Sequence, residues 1–313
     1  MFSNMGKQKL YFFAPLGNVD DSILNIKLKN GFKIDSMSFE QGTKIISTVE
    51  KIATADINHW PHFSTVFSQR KLFFISNSFD FDLSTTDSNG NSLAVFDLYK
   101  FVNNLVEQNL VIPLRLLRLF KEGNIYTTFW CVYSFIDEKP TVLLAGGGTS
   151  NIQYQNLFHL GDSEIENVQK FLEATGMPLK FDYLKMAHEN FELSYTVSNP
   201  SLSFLSLMIA SEVLFNPGSG DITYRISRNF AVLLGSSVED AKQIQKEIIK
   251  LYKKRSSLVH SGKEIVIFVG EEDYVLKIRY YVRESIKKII PMNLSKDDLL
   301  NLLNSKGFGQ LNA

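Results

Sequence analysis

The chain has little of several features that would point to a secreted, membrane-bound or highly charged protein. Among its 313 residues there is one cysteine, Cys131, so no internal disulfide framework can form and a reducing cytoplasm is expected. No apolar run approaches the roughly 20 residues that a membrane-spanning helix needs. Lysine and arginine together number 33 and match 33 acidic residues, so no overall charge draws the protein toward nucleic acid or membranes.

The first residues also lack the pattern of a secretory signal. The segment MFSNMGKQKLYFFAPLG has no charged stretch that leads into a long apolar core and a cleavage site, so we expect no signal peptide. What the composition does contain is ordinary for a globular protein, with 44% hydrophobic and 21% charged residues. The length is sufficient for two domains, each with its own core.

The first half of the chain is rich in strand patterns. Runs such as KLYFF, KLFFIS and IYTTFWCVYSF are dense in aromatic and β-branched residues, and turn signals separate them. Apolar residues at helical spacing predict one helix at residues 97–108. Residues 113–120 then predict a further strand, followed by a turn at Gly123 and Asn124. Cys131 lies in the third run, where a buried strand thiol is expected rather than a nucleophile.

The second half changes to a helical period from about residue 162. Seven helices are predicted, at residues 163–175, 182–196, 200–215, 221–234, 238–260, 271–290 and 295–305. Ser237 with Asp240 resembles a capping box, and Gly235 and Gly262 stand where helices end. The sequence therefore predicts an α+β protein. A β-rich N-terminal domain would occupy residues 1–155, and an all-α bundle would occupy residues 160–313.

The predicted helix at residues 238–260 carries a cation where an apolar residue is expected. At about 100° per residue, one face of this helix is an apolar stripe formed by Ile244, Ile248, Leu251 and Leu258. Arg255 falls in the middle of that stripe. A guanidinium on a buried face needs an anion, which is either an internal partner such as Glu212 or a ligand that reaches an interface. Both interpretations stay open at this point.

His260 follows Arg255 by five residues. A fixed cation that stabilises a phosphate and a group that takes a proton from a 2′-hydroxyl are sufficient to cleave RNA. Helical geometry places the two side chains about 140° apart, so a straight helix does not unite them. Either the helix unwinds before Gly262, or a two-fold dimer pairs each Arg255 with the opposite His260. Taken alone, His260 is also compatible with a solvated residue at a helix end.

The residues around this pair resemble a known family. Residues 210–263 are similar to the core of the HEPN family, in its ApeA-like branch. The similarity rests on Glu212 near the end of one helix, on the segment Tyr224-Arg225-Ile226-Ser227, on LLG, and on the signature LYKKRSSLVHSG. A weaker likeness extends upstream to LRLLRLFKEGNI.

The resemblance implies an all-α bundle that dimerises face to face and an R-x4–6-H motif that lines a shared cleft. It further implies a metal-independent endoribonuclease of bacterial defence or toxin systems, with RNA as substrate and without a cofactor or a membrane partner. His260 would be the general base or acid at the 2′-hydroxyl and the leaving oxygen, and Arg255 would hold the scissile phosphate. The supporting residues that the resemblance adds are Glu212, Arg225, Tyr252 and Ser256.

Ser256 departs mildly from the family pattern, because Asn, Asp or His often follows the arginine. Some HEPN domains bind without cutting, so a catalytically inactive scaffold or binding module is the alternative. In a nuclease the N-terminal domain is expected to sense a trigger or to hold the nuclease in check, and in a scaffold it is expected to bind a protein or a ligand.

Local charge gives modest support to an RNA substrate. Between Asp221 and Lys288 there are 14 lysine or arginine residues against 9 acidic residues, on a chain that is otherwise neutral. A basic face fits phosphate contacts. Lys246, Lys250 and Lys253 also fall on or near the solvated side of their helix, so the excess is equally compatible with an ordinary surface.

Two further motifs are interpreted without a functional role. His59 and His62 offer two metal ligands, but no cysteine or third histidine is near them, so no metal site is expected. Gly146, Gly147 and Gly148 follow a strand but lack the Lys-Ser/Thr ending of a phosphate loop, so a turn is predicted there.

Overall fold

The computed structural model describes residues 6–38, 40–42, 71–83, 94–136, 138–148, 156–216, 218, 221–261, 265 and 273–312. The chain forms two compact units, Met1–Ala174 and Thr175–Ala313. The first contains an antiparallel sheet and the second is helical, which confirms the predicted α+β class. Over the described ranges, every helix is too short or too polar to cross a lipid bilayer.

In the described part of the first unit, the sheet has six strands. Their bounds are β1 (Lys7–Gly17), β2 (Lys33–Ser38), β3 (Lys71–Asp82), β4 (Tyr126–Thr127), β5 (Phe129–Ile136) and β6 (Lys139–Gly147). The order across the sheet is β2-β3-β1-β5-β6, and the short β4 also pairs with β1. Neighbouring strands are antiparallel. The long β1 therefore lies at the centre, where a nearly continuous apolar run is buried.

One core cluster of the sheet is built around the lone cysteine. Phe13, Leu72 and Phe129 pack with Cys131, whose side chain is fully buried. Burial raises the pKa of the thiol to about 12, so the group stays protonated and unreactive near neutral pH. The interpretation of Cys131 as a buried strand thiol is confirmed.

Residues 113–120 form a helix, so the prediction of a strand there was wrong. Helix α1 (Ala94–Val106), which confirms the helix predicted in this region, continues through a wider π-helical turn into helix α2 (Ile112–Phe120). Four leucines of α2 are buried, and the buried Arg118 donates a hydrogen bond to the carbonyl oxygen of Ile125 at 2.6 Å. A helical signal was present, because Arg115 and Arg118 interrupt the apolar run three residues apart, which is the spacing of a helix and not the alternation of a strand.

Seven helices follow the sheet in the described part of the chain. Their bounds are α3 (Asp162–Ala174), α4 (Asp182–Thr196), α5 (Pro200–Phe215), α6 (Ile222–Leu234), α7 (Val238–Ser261), α8 (Tyr274–Ile289) and α9 (Lys296–Ser305). Each confirms a helix predicted at that place, and its ends fall within three residues of the prediction. Side chains of Asn199, Asp221 and Ser295 accept hydrogen bonds from backbone N–H groups at three helix starts.

The helix α3 belongs to the first unit, which ends at Ala174. It packs against α2, and Lys121 forms an ion pair with Glu164. The change of period predicts a domain boundary between residues 155 and 160, whereas contacts place it at the end of α3. The two differ because periodicity reports secondary structure, while a domain boundary depends on which elements pack together.

The connection between α6 and α7 contains two of the predicted features. The Ser237 hydroxyl oxygen accepts a hydrogen bond from the N–H of Asp240 at 3.1 Å, as a capping box predicts. The Asp240 carboxylate accepts from the backbone and the hydroxyl of Ser236, and these hydrogen bonds lower the pKa of Asp240. Gly235 has an ordinary φ of −60°, and a Cβ there would lie 2.6 Å from the Cβ of Ala241. Close packing, rather than a left-handed backbone, explains this glycine.

Candidate functional site

One face of α7 is buried, and Arg255 lies on it. The buried members of this face are Ala241, Ile244, Ile248, Leu251 and Tyr252. By helical geometry they all fall within about 60° of the direction of Arg255. Leu258, the last member of the predicted stripe, is only partly buried. Arg255 therefore follows a well-buried stripe at the point where burial begins to decrease.

Glu212 of α5 is the partner of Arg255. A side-chain Nη2 of Arg255 lies 3.5 Å from the Oε1 of Glu212, so the pair that the sequence left as one of two interpretations is present. The pair is not sealed from water, because the side chain of Arg255 is 36% exposed and that of Glu212 is 28% exposed. An ion pair at this level of exposure contributes roughly 0–1 kcal/mol to stability. The guanidinium keeps N–H groups that an anion from solvent can reach.

Tyr252 lies one turn before Arg255 and completes this cluster. Its hydroxyl is buried and has no hydrogen-bond partner among the described residues. Burial, together with the charge of the nearby Glu212 carboxylate, raises the pKa of Tyr252 far above its ordinary value. The phenol is therefore neutral at any physiological pH. It can pack against the ion pair or donate a hydrogen bond, but it cannot serve as a base.

His260 is exposed at the C-terminal end of α7. The helix runs without interruption to Ser261, so it does not unwind between Arg255 and His260. The five-residue separation therefore puts His260 about 140° around the helix and about 7.5 Å along it from Arg255. Gly262, which was predicted to end the helix, lies outside the described residues. The structure therefore does not support the first route, in which the helix unwinds to bring the two side chains together.

The other supporting residues lie apart from the ion pair. Ser256 is exposed on α7, about 100° around the helix from Arg255. Arg225 is exposed on α6, and its guanidinium forms no ion pair with a residue that the structure describes. The structure thus brings together Glu212, Tyr252 and Arg255, but it leaves Ser256 and Arg225 at the surface.

A second arginine on an apolar stripe was missed by the sequence analysis. Arg279 of α8 is completely buried and donates to the Ser194 hydroxyl at 3.1 Å, to the Ser194 carbonyl at 2.9 Å and to the Ser203 hydroxyl at 3.2 Å. Its guanidinium also lies 4.3 Å from the ring centre of Tyr195. The signal was the same as for Arg255, because Arg279 interrupts an apolar helical stripe. Burial separates the two: Arg279 is enclosed by the core, whereas Arg255 remains open to solvent.

Among the described residues, the motifs without an assigned role give no alternative site. Gly146 and Gly147 belong to strand β6, and a Cβ at Gly146 would lie 2.5 Å from the ring of Trp130. Sheet packing therefore accounts for Gly146. His59 and His62 lie outside the described residues. Within the described ranges, no group of three or more histidine, cysteine or acidic side chains is arranged to hold a metal ion.

Comparison of the chain with protein-family models, with curated proteins and with solved structures found no match. The HEPN resemblance therefore stays a prediction from the motif residues. A function for this chain has to follow from the geometry around α7.

Proposed function

We propose that the chain is a HEPN-like, metal-independent endoribonuclease that cleaves RNA at a site shared between two copies of its helical unit. The observation that carries this proposal is that the side chain of Arg255 is paired with Glu212 and remains partly exposed to solvent. A guanidinium on a buried stripe is either enclosed by the core, as Arg279 is, or kept accessible. Arg255 is oriented by Glu212 and still has N–H groups toward solvent, which suits it to bind a phosphate.

A second copy of the chain supplies the histidine that cannot reach Arg255 within one helix. Since α7 is straight between Arg255 and His260, the composite site pairs Arg255 of one protomer with the His260 of its partner. Helix α5 offers a surface for such a dimer because its apolar side chains are not confined to one buried face. Leu202 and Ile209 are exposed on it, within about 80° of Glu212 around the helix. Exposed apolar surface of this kind is typical of an interface.

The chemistry follows from the two side chains. His260 takes the proton of the 2′-hydroxyl while the 2′-oxygen attacks the adjacent phosphorus. The bond from phosphorus to the 5′-oxygen breaks, and the same proton goes to that oxygen as it leaves. Arg255 stabilises the negative charge that builds on the phosphate oxygens during the step. The products are a 2′,3′-cyclic phosphate and a 5′-hydroxyl, and no step requires a metal ion.

The first unit is proposed to sense a trigger in a cytoplasmic defence or toxin system. Its helix α1 exposes three aromatic side chains, Phe96, Tyr99 and Phe101. Exposed aromatic residues are enriched at protein interfaces. A protein trigger that covers them is the partner that these residues support best.

A second candidate function is an inactive HEPN-like scaffold, which the Arg255–Glu212 pair favours. If the pair is only structural, Arg255 needs no phosphate, and the chain acts through dimerisation and through binding at the first unit. This alternative predicts no cleavage of RNA under any condition, and it predicts that removal of Arg255 affects folding.

Mixing two inactive variants separates a shared site from a site within one chain. Arg255→Ala and His260→Ala are each expected to abolish RNA cleavage in the presence of EDTA. After the two proteins are unfolded and refolded together, half of the dimers are mixed, and each mixed dimer regains one intact site of two. We therefore expect about a quarter of the wild-type activity, with 2′,3′-cyclic phosphate ends.

No recovery after mixing would refute the shared site. Unchanged cleavage by His260→Ala alone would refute the assignment of the histidine. Absence of cleavage by the wild-type protein, tested with and without candidate triggers, would favour the scaffold.

A further inference from the structure

The face of α7 opposite Arg255 carries a row of lysines. At about 100° per residue, Lys242, Lys246, Lys250 and Lys253 lie between about 140° and 220° from the direction of Arg255. Together with Lys277 of α8 they line a groove of about 550 Å³. The row extends about 16 Å along the helix axis. We call the groove lined by these five lysines the lysine groove.

The lysine groove is positive in a chain whose net charge is zero. Among the residues that the structure describes, five lysines line it against one acidic residue, Glu247. That carboxylate is already engaged, because it lies 3.2 Å from the Nζ of Lys277 and accepts a hydrogen bond from the Tyr281 hydroxyl at 2.5 Å. Lys242, Lys246 and Lys253 form no ion pair with a described residue, so their charge is available to a ligand from solvent.

The same row leads toward His260. The histidine lies about 140° from the direction of Arg255, so it shares its side of the helix with Lys242 and Lys253. It follows Lys253 by about 10 Å along the axis, and the helix is unbroken between them. A polyanion that lies along the lysine groove therefore arrives at His260 rather than at the Arg255 of the same chain.

We propose that the lysine groove binds the sugar–phosphate backbone of single-stranded RNA and delivers the strand to His260. This inference rests on the proposed nuclease function and assigns its substrate path. A single row of point charges fits consecutive phosphates of one strand, whereas a duplex presents two strands at once. Lysines that contact phosphates carry no sequence information, so the groove binds RNA of any sequence.

Binding can be measured without cleavage by using a probe whose 2′-oxygen is blocked. The probe is a fluorescein-labelled 20-nucleotide 2′-O-methyl uridine strand, and the readout is fluorescence anisotropy of the full chain at increasing salt. The test variant replaces Lys242, Lys246 and Lys253 by glutamine, since these three form no ion pair with a described residue. The control variant replaces three exposed lysines of the first unit by glutamine, Lys27, Lys29 and Lys100.

Each lysine that contacts a phosphate of a single strand adds about 0.7 to the slope of log affinity against log salt. The groove variant is therefore expected to lose about 2 from the slope, and the control variant is expected to match the wild type. Equal slopes for wild type and groove variant would overturn the proposal and leave an acidic protein as the better occupant. Tighter binding of a duplex RNA of equal charge would overturn the assignment to a single strand.

A parallel cleavage assay keeps the two proposals distinguishable. Wild-type protein that binds the probe with the expected slope but cuts no RNA would refute the nuclease while the lysine groove stands. Groove variant that cuts RNA at the wild-type rate and with the wild-type salt dependence would refute the lysine groove while the nuclease stands.

Discussion

Replacing each of the two stripe arginines by methionine tests whether Arg255 is functional or structural. Methionine preserves the length and apolar stem of the side chain while it removes the charge and the hydrogen-bond donors. Arg255 and Arg279 both interrupt an apolar stripe, so they are matched in sequence context. They differ in burial, since Arg279 is completely enclosed and Arg255 is about a third exposed.

The expected sizes of the two effects follow from that difference. Arg255→Met removes one partly exposed ion pair, which is worth roughly 0–1 kcal/mol. Arg279→Met removes three buried hydrogen bonds of the guanidinium, two to Ser194 and one to Ser203, which together contribute about 2–6 kcal/mol. With about 4 °C in Tm per kcal/mol for a unit of this size, we expect a loss of at most about 4 °C for Arg255→Met. The corresponding loss for Arg279→Met is about 8 to 24 °C.

Circular dichroism melting at 222 nm measures both variants, and RNA cleavage in EDTA is measured on the same samples. The proposed function requires that Arg255→Met keeps its fold and loses cleavage. If Arg255→Met lowers Tm as much as Arg279→Met does, the arginine is a core residue and the catalytic assignment fails. If Arg255→Met keeps both its Tm and its activity, the guanidinium has neither role.

Two further predictions concern the acidic residues near α7. Glu212→Gln removes the charge that orients Arg255, so kcat for RNA cleavage should fall by about ten- to a hundredfold. The control Glu239→Gln changes an exposed residue and should leave kcat unchanged. Equal kcat in the two variants would contradict a positioning role for Glu212. Hydrogen bonds from Ser236 lower the pKa of Asp240 below its ordinary value, so its contribution to stability is present above about pH 4 and is lost as the pH falls through the lowered pKa. Asp240→Asn should therefore lower Tm at pH 7 and make little difference near pH 2, and a Tm difference that is independent of pH would disprove the linkage.

Most of the secondary structure could be predicted from the sequence because it depends on local patterns. The helices α3 to α9 follow from apolar periodicity and from capping residues such as Ser237 and Ser295, which act within one or two turns. The failure at α2 also concerns a local pattern. Arg115 and Arg118 interrupt this apolar run at the three-residue spacing of a helix, so the signal was local and the strand prediction overlooked it.

The candidate site, too, could be predicted from the sequence only in part. By itself the sequence determined that Arg255 lies on an apolar stripe of a long helix, and that His260 points elsewhere, because both follow from the helical repeat. Only the tertiary structure decided that Glu212, 43 residues earlier in the chain, reaches Arg255, and that this arginine stays open while Arg279 is enclosed. Burial and pairing depend on which helices pack together, and the periodicity of a sequence does not indicate this.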